Sequence, residues 1–161
     1  MSRYLLFLLP LAFLLSCVNA PDFPEEPVIT YEGVNKTEIF QFVNGPVDSI
    51  IIQFSFTDGD GDLSQDSTDI FVTDSRTLEL TPFRIPNFPS EGTGNGISGD
   101  VFIRLVNTDA SICCILGNRV CFINEVLPVD TVSYAIQIMD RAGNLSNTIR
   151  TEVIEIKCLG E

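Results

Sequence analysis

From Ser49 to Thr57 the chain alternates Ile50, Ile52, Phe54 and Phe56 with Ile51, Gln53, Ser55 and Thr57. A period of two sorts these residues into one apolar face and one mixed face only if the segment is an extended strand half-buried against a core. Thr131 to Met139 repeats the pattern with Val132, Tyr134, Ile136 and Ile138 inward. Val101, Ile103 and Leu105 give a third such strand, and Ile149 to Lys157 a fourth that is rich in β-branched residues. Weaker strands are expected at Ile39 to Val43, Ile70 to Thr73 and Leu78 to Arg84. No segment sustains a 3.6-residue apolar period long enough for a helix. About seven strands separated by turn residues predict an all-β chain, a single antiparallel sandwich.

The N-terminus reads differently. Arg3, the apolar run Leu5 to Leu15 and the ending Leu14-Leu15-Ser16-Cys17 have the layout of a secretory signal. The run is far shorter than the roughly twenty residues needed to span a hydrocarbon core. A cysteine directly after Leu-Leu-Ser resembles the bacterial lipobox, which implies a signal peptide over residues 1–16 and diacylation of Cys17. Val18-Asn19-Ala20 also partly meets the small-residue pattern of an ordinary signal cleavage, so that alternative stays open. Residues 17–27, with Pro21, Pro24 and Pro27, read as the lipidated cysteine and an extended linker, leaving 28–161 as the folded domain. Asp22, Glu25 and Glu26 resemble surface-export tags of such lipoproteins. The location implied is the outer membrane, lipid-anchored and facing the cell exterior.

Nine basic residues against 22 acidic ones give a formal net charge of −13. Such a chain repels nucleic acid and anionic lipid headgroups and attracts cations. Histidine is absent from the sequence, as is tryptophan. Ser-His and Cys-His nucleophile arrangements are therefore impossible, and paired carboxylates of the glycosidase kind would lack a tryptophan to stack the sugar. No enzymatic activity is expected.

The strongest chemical signal is Thr57-Asp58-Gly59-Asp60-Gly61-Asp62-Leu63. Asp58, Asp60, Asp62, Ser64, Asp66 and Asp69 fall on positions 1, 3, 5, 7, 9 and 12 of a calcium loop. Leu63 stands where an EF-hand needs glycine, Asp69 replaces the bidentate glutamate, and a strand precedes the loop in place of a helix. The pattern predicts a calcium loop on a β scaffold. Magnesium suits it less, because that ion dehydrates reluctantly. Asp-Gly pairs also form turns without any ion, and a plain acidic turn is the competing reading.

Phe54-Ser55-Phe56 running into that turn, the pair Cys113-Cys114, and the late Asp140-Arg141-Ala142-Gly143-Asn144-Leu145-Ser146-Asn147 resemble uncharacterised lipoproteins of Bacteroidota that carry an immunoglobulin-like domain. The resemblance covers nearly the whole chain after Cys17. Ser64 departs from the glycine that many of those relatives carry after the Asp-Leu pair. An immunoglobulin-like or fibronectin type III-like sandwich is implied, and the family pattern says little about activity. If Ser49 to Thr57 is strand B and Thr131 to Met139 is strand F, their following loops share one end. Asp140 then joins the carboxylates as a metal ligand, while Asn144 belongs to the turn. With Leu78 to Arg84 as strand D, the loop from Ile85 to Gly99 would reach the same end. Its Phe88 and Ile97 are candidate partner anchors, with flexible filler as the alternative.

Cys113, Cys114, Cys121 and Cys158 fit two disulfides in an oxidising compartment. A hairpin about Gly117-Asn118 would set Cys114 opposite Cys121 and turn Cys113 to the other face. The expected pairs are Cys114 with Cys121 and Cys113 with Cys158. A four-thiolate zinc site is the rival, although the spacing lacks the two-residue gaps of zinc knuckles.

The function expected from the sequence is a non-catalytic surface lipoprotein whose calcium-stabilised domain binds or supports a protein partner. The alternative is a calcium-dependent glycan-binding accessory lipoprotein. Membrane contact is through the lipid, and no nucleic acid is expected as a partner.

Overall fold

The computed structural model describes residues 22–41, 47–63, 69–85, 96–107, 112–117, 119–121 and 128–158. Residues 1–16, expected to be a signal peptide, and Cys17 lie outside the described residues. The described chain is all-β, with no α-helix.

The long alternating segments form the strands expected of them. Strand β3 (Ser49–Asp58) sits between β1 (Val28–Val34) and β6 (Ile97–Val106) in one antiparallel sheet. The β3·β6 ladder runs unbroken from Ser49 opposite Val106 to Asp58 opposite Ile97. A second antiparallel sheet has the order β11 (Ile149–Arg150), β10 (Tyr134–Ile138), β4 (Ile70–Asp74), β5 (Leu80–Phe83). In a third, mixed sheet β12 (Ile154–Lys157) pairs parallel with β2 (Glu38–Phe40) and antiparallel with β9 (Val129–Val132). Ile50, Ile52, Phe54 and Phe56 from the first sheet meet Ile70, Val72, Tyr134, Ile136 and Ile138 from the second in one buried cluster. Removing these alternate side chains from water is the main stabilising contribution, at about 1.5–3 kcal/mol for each fully buried large residue.

Several features differ from expectation. Leu78 to Arg84, expected as strand D, pairs as β5 with β4. The cause is the short Asp74–Leu78 turn, closed by the Leu78 amide donating to the Asp74 carbonyl at 2.9 Å with Leu78 at φ 60. A connection that tight leaves the chain no route except back along its own neighbour. The strands expected at Thr131 to Met139 and Ile149 to Lys157 are each split. The Thr151 hydroxyl accepts the Tyr134 amide at 3.0 Å, and the Thr151 amide donates to the Tyr134 carbonyl at 3.0 Å. Residues 151–153 thus stand out of the ladder, and the pairing shifts by one residue between the two halves.

Strand β1 answers to no strand expected from the sequence, because Gly33 (φ 141) interrupts its alternation with a bulge after Tyr31. The segment read as linker is also docked from Asp22 onward, with Pro27 buried and Phe23 half-buried.

The disulfide pairing is Cys113–Cys121 and Cys114–Cys158, with Cα separations of 4.7 and 5.8 Å. This corrects the expected Cys114–Cys121 and Cys113–Cys158. The hairpin itself is present, β7 (Ile115–Leu116) against β8 (Arg119–Val120), with Ile115 opposite Val120. Its ladder stops there, however. Cys121 turns out of the strand at φ 57, so the parity rule that set Cys114 opposite it no longer applies. Cys114 is held inward by its amide, which donates to Gln41 Oε1 at 2.6 Å, and its sulfur meets Cys158 at the end of β12.

Arg76, in the β4–β5 turn, fastens this same end. Its guanidinium donates to Asp74 Oδ2 at 2.6 Å, Asp130 Oδ2 at 2.7 Å and the Cys113 carbonyl at 2.8 Å. Burial alone would weaken its charge, but the two carboxylates more than offset that and hold its pKa above the ordinary arginine value. Arg76→Ala should lower stability by about 2 kcal/mol, read by urea unfolding. A loss under about 0.5 kcal/mol, the range of ordinary surface substitutions, would remove this fastening role.

Candidate metal centre

Strand β3 delivers Asp58 to the end of the molecule where β6 begins, and β10 delivers Asp140 to that same end. Met139, just before Asp140, donates its amide to the Asp69 carbonyl at 2.8 Å, which ties the turn after β10 to the start of β4. The turn after β3 reverses at Gly61, whose φ of +68 favours glycine. Leu63 then enters the core at 2 % exposure. Where an EF-hand loop would turn on glycine, this one is anchored by an apolar side chain.

Asp58, Asp62 and Asp140 come together, each offering a carboxylate oxygen within 4.8 Å of the others. That span fits oxygens ligating one ion at the 2.3–2.6 Å typical of calcium. Asp58 is fully buried and Asp140 is 4 % exposed. One oxygen of Asp58, Oδ2, accepts the Leu63 amide at 3.2 Å, whereas Oδ1 is buried with no hydrogen-bond partner. Asp62 accepts the backbone amides of Arg141 and Ala142, and its Oδ1 is likewise buried and unpartnered. Asp140 is oriented by Asn144, whose amide donates to Oδ1 at 2.7 Å and whose Nδ2 donates to Oδ2 at 2.8 Å. Asn144 thus positions a carboxylate.

The electrostatics of the group are strained by burial and like charge. Burial, with Asp60 and Asp62 nearby, pushes the Asp58 carboxyl up to about 6. Burial, Asp60 and Asp140 also raise that of Asp62. A buried carboxylate oxygen with neither donor nor cation costs several kcal/mol, and two such atoms face the same small group of acids here. A hard divalent ion would satisfy both.

Of the seven residues expected as ligands, the structure unites Asp58, Asp62 and Asp140. Asp60 is exposed and Asp69 is buried, and neither belongs to the three-carboxylate group. The departure at Asp69 follows from the β scaffold: Asp69 leads directly into β4, its amide donating to the Phe83 carbonyl at 3.1 Å, and so does not wrap back as a twelfth loop residue. Ser64 and Asp66 lie outside the described residues, as does Phe88. Ile97, expected as a partner anchor, is half-buried against the core opposite Asp58. The loop before it does end beside the acidic turn, since Gly96 lies against the Asp58 carbonyl.

A contact that the sequence reading missed is Gly59. Its amide donates to the Pro24 carbonyl at 2.7 Å. A Cβ there would stand 2.3 Å from the Phe23 carbonyl oxygen and 2.5 Å from that of Pro24. The Gly between two Asp residues was the available signal, but turn formation alone accounts for that pattern.

Comparison of the chain with protein-family models, with curated proteins and with solved structures gave no match.

Proposed function

We propose that this chain is a lipid-anchored, non-catalytic outer-membrane module, facing outward, whose immunoglobulin-like domain is stabilised by calcium and supports a protein partner. The observation that carries the proposal is the pair of buried, unpartnered oxygens, Asp58 Oδ1 and Asp62 Oδ1, in a three-carboxylate group that includes Asp140. The immunoglobulin-like part is supported by the strand order. With β1, β3 and β6 as A, B and E, and β4, β5, β10 and β11 as C, C′, F and G, the two antiparallel sheets follow the order of that fold.

The anchor rests on Leu14-Leu15-Ser16-Cys17. Cys17 is five residues before Asp22, a reach of at most about 18 Å when fully extended. A lipid on Cys17 would therefore hold the acidic end of the domain close to the membrane. The absence of histidine from the sequence supports a non-catalytic role.

Calorimetric titration with calcium tests the metal. One ion per chain is expected in the wild type, and none in Asp62→Asn; absence of binding to the wild type removes the proposal. Cys17→Ser should release the protein from the membrane fraction, and retention there would defeat the anchor. Binding to a glycan array that is abolished by chelator would replace the protein partner with the glycan reading.

A further inference from the structure

We infer that a cation held by Asp58, Asp62 and Asp140 locks the Asp22–Pro27 segment onto the acidic turn, so that ion binding and docking of the N-terminal approach reinforce each other. The inference rests on the calcium reading above and adds a consequence for how the domain is held.

The turn that carries Asp58 and Asp62 also receives the N-terminal segment. Val28 pairs with Thr57, so the residues before β1 continue along the edge of β3 toward the acidic turn. There the Gly59 amide donates to the Pro24 carbonyl. The Phe23 ring fills the space over Gly96, where a Cβ would come within 2.8 Å of its Cδ2 and 3.1 Å of the Asp58 carbonyl oxygen. The docked segment therefore touches Gly59, which directly follows Asp58, and Gly96, which lies against the Asp58 carbonyl.

The shared turn couples the docking to the ion. Asp58, Asp60, Asp62 and Asp140 repel one another across the turn that receives the segment, and a divalent ion reverses that repulsion locally. Fixing Asp58 and Asp62 about one ion also fixes Gly59 between them, which presents its amide to Pro24. Linkage then requires the converse, that loss of the docked segment weakens ion binding by the same factor.

Gly59→Ala separates the segment from the ligands. Its Cβ would displace the Phe23 and Pro24 carbonyls while leaving every carboxylate in place. In the processed chain purified from cells in detergent, this variant should bind calcium about fivefold or more weakly. In the otherwise wild-type chain, Phe23→Trp introduces the sequence's sole tryptophan. Calcium should shift its emission and slow amide exchange over residues 22–27 and at Gly59. Calcium binding with neither probe moving, or with Gly59→Ala within about twofold of wild type, overturns the lock and leaves the cation site standing. No calcium binding in the wild type overturns both.

Discussion

Replacing Cys114 and Cys158 together by alanine lowers the unfolding free energy by about 4 kcal/mol, whereas replacing Cys113 and Cys121 costs about 2.5 kcal/mol. The difference follows from the chain enclosed, since the first bond joins residues 44 apart and the second residues 8 apart. A crosslink that closes the longer loop removes more freedom from the unfolded ensemble. Packing acts in the same direction. Cys114 and Cys158 are 2 % and 1 % exposed, and the Cys114 amide donates to the buried Gln41 side chain. In the other bond only Cys113 is buried, and Cys121 is exposed. Urea unfolding of the two paired variants under oxidising conditions measures the contrast. Equal losses, or a larger loss from the Cys113–Cys121 pair, would contradict the assigned connectivity.

Asp58→Asn raises the stability of the metal-free protein at pH 7 by up to about 3 kcal/mol and at the same time abolishes its response to calcium. The Asp58 carboxyl rises from an ordinary 3.8 to about 6 in the folded chain, chiefly through burial and then through Asp60 and Asp62. An acid with a raised folded pKa binds its proton more tightly folded than unfolded. At this site, therefore, stability is greatest below pH 4, declines as pH rises from about 4 to about 6, and is fully lost above that. Asparagine retains an oxygen for the Leu63 amide and replaces the bare oxygen with a donor facing carboxylates. Denaturant titrations in chelator at pH 4 and pH 7 should show the variant gaining over wild type only at the higher value. An equal effect at both pH values would mean that Asp58 ionisation does not strain the fold.

The fold was legible where alternation was long. Ser49 to Thr57 and Val101 to Leu105 mark β3 and β6 through strict apolar alternation, and the ladder between them extends beyond the second segment to Ile97 and Val106. Short irregularities hid the rest. Nothing in the hydropathy of Ile149 to Lys157 marks Thr151 as the point where backbone pairing breaks, since a hydroxyl that substitutes for a ladder carbonyl is a three-dimensional event. The cysteine pairing failed for a similar reason: strand parity was carried one residue past the end of a two-residue ladder, to a Cys121 whose φ is positive.

At the candidate site, Asp58 and Asp62 were legible from spacing, and Asp140 from the expectation that two loops share an end. The EF-hand template overreached at Asp60 and Asp69, because it assumes one loop wrapping an ion. Here two loops meet, and Asp140 and Asn144 come from the second. The docking of Phe23 and Pro24 on Gly59 was invisible, since three prolines in a polar stretch read equally as a free tether.

Thermal unfolding of the disulfide-intact protein at pH 7, in chelator and in millimolar calcium, tests the cation site most directly. An ion that binds only the native state adds roughly 2.7 kcal/mol at a hundredfold excess over its dissociation constant, a rise of about 10 °C for a domain of this size. The wild type should show that rise and Asp62→Asn should not. Superimposable melts of the wild type in chelator and in calcium would contradict the cation site, and would leave Asp58, Asp62 and Asp140 as an acidic turn that binds no calcium.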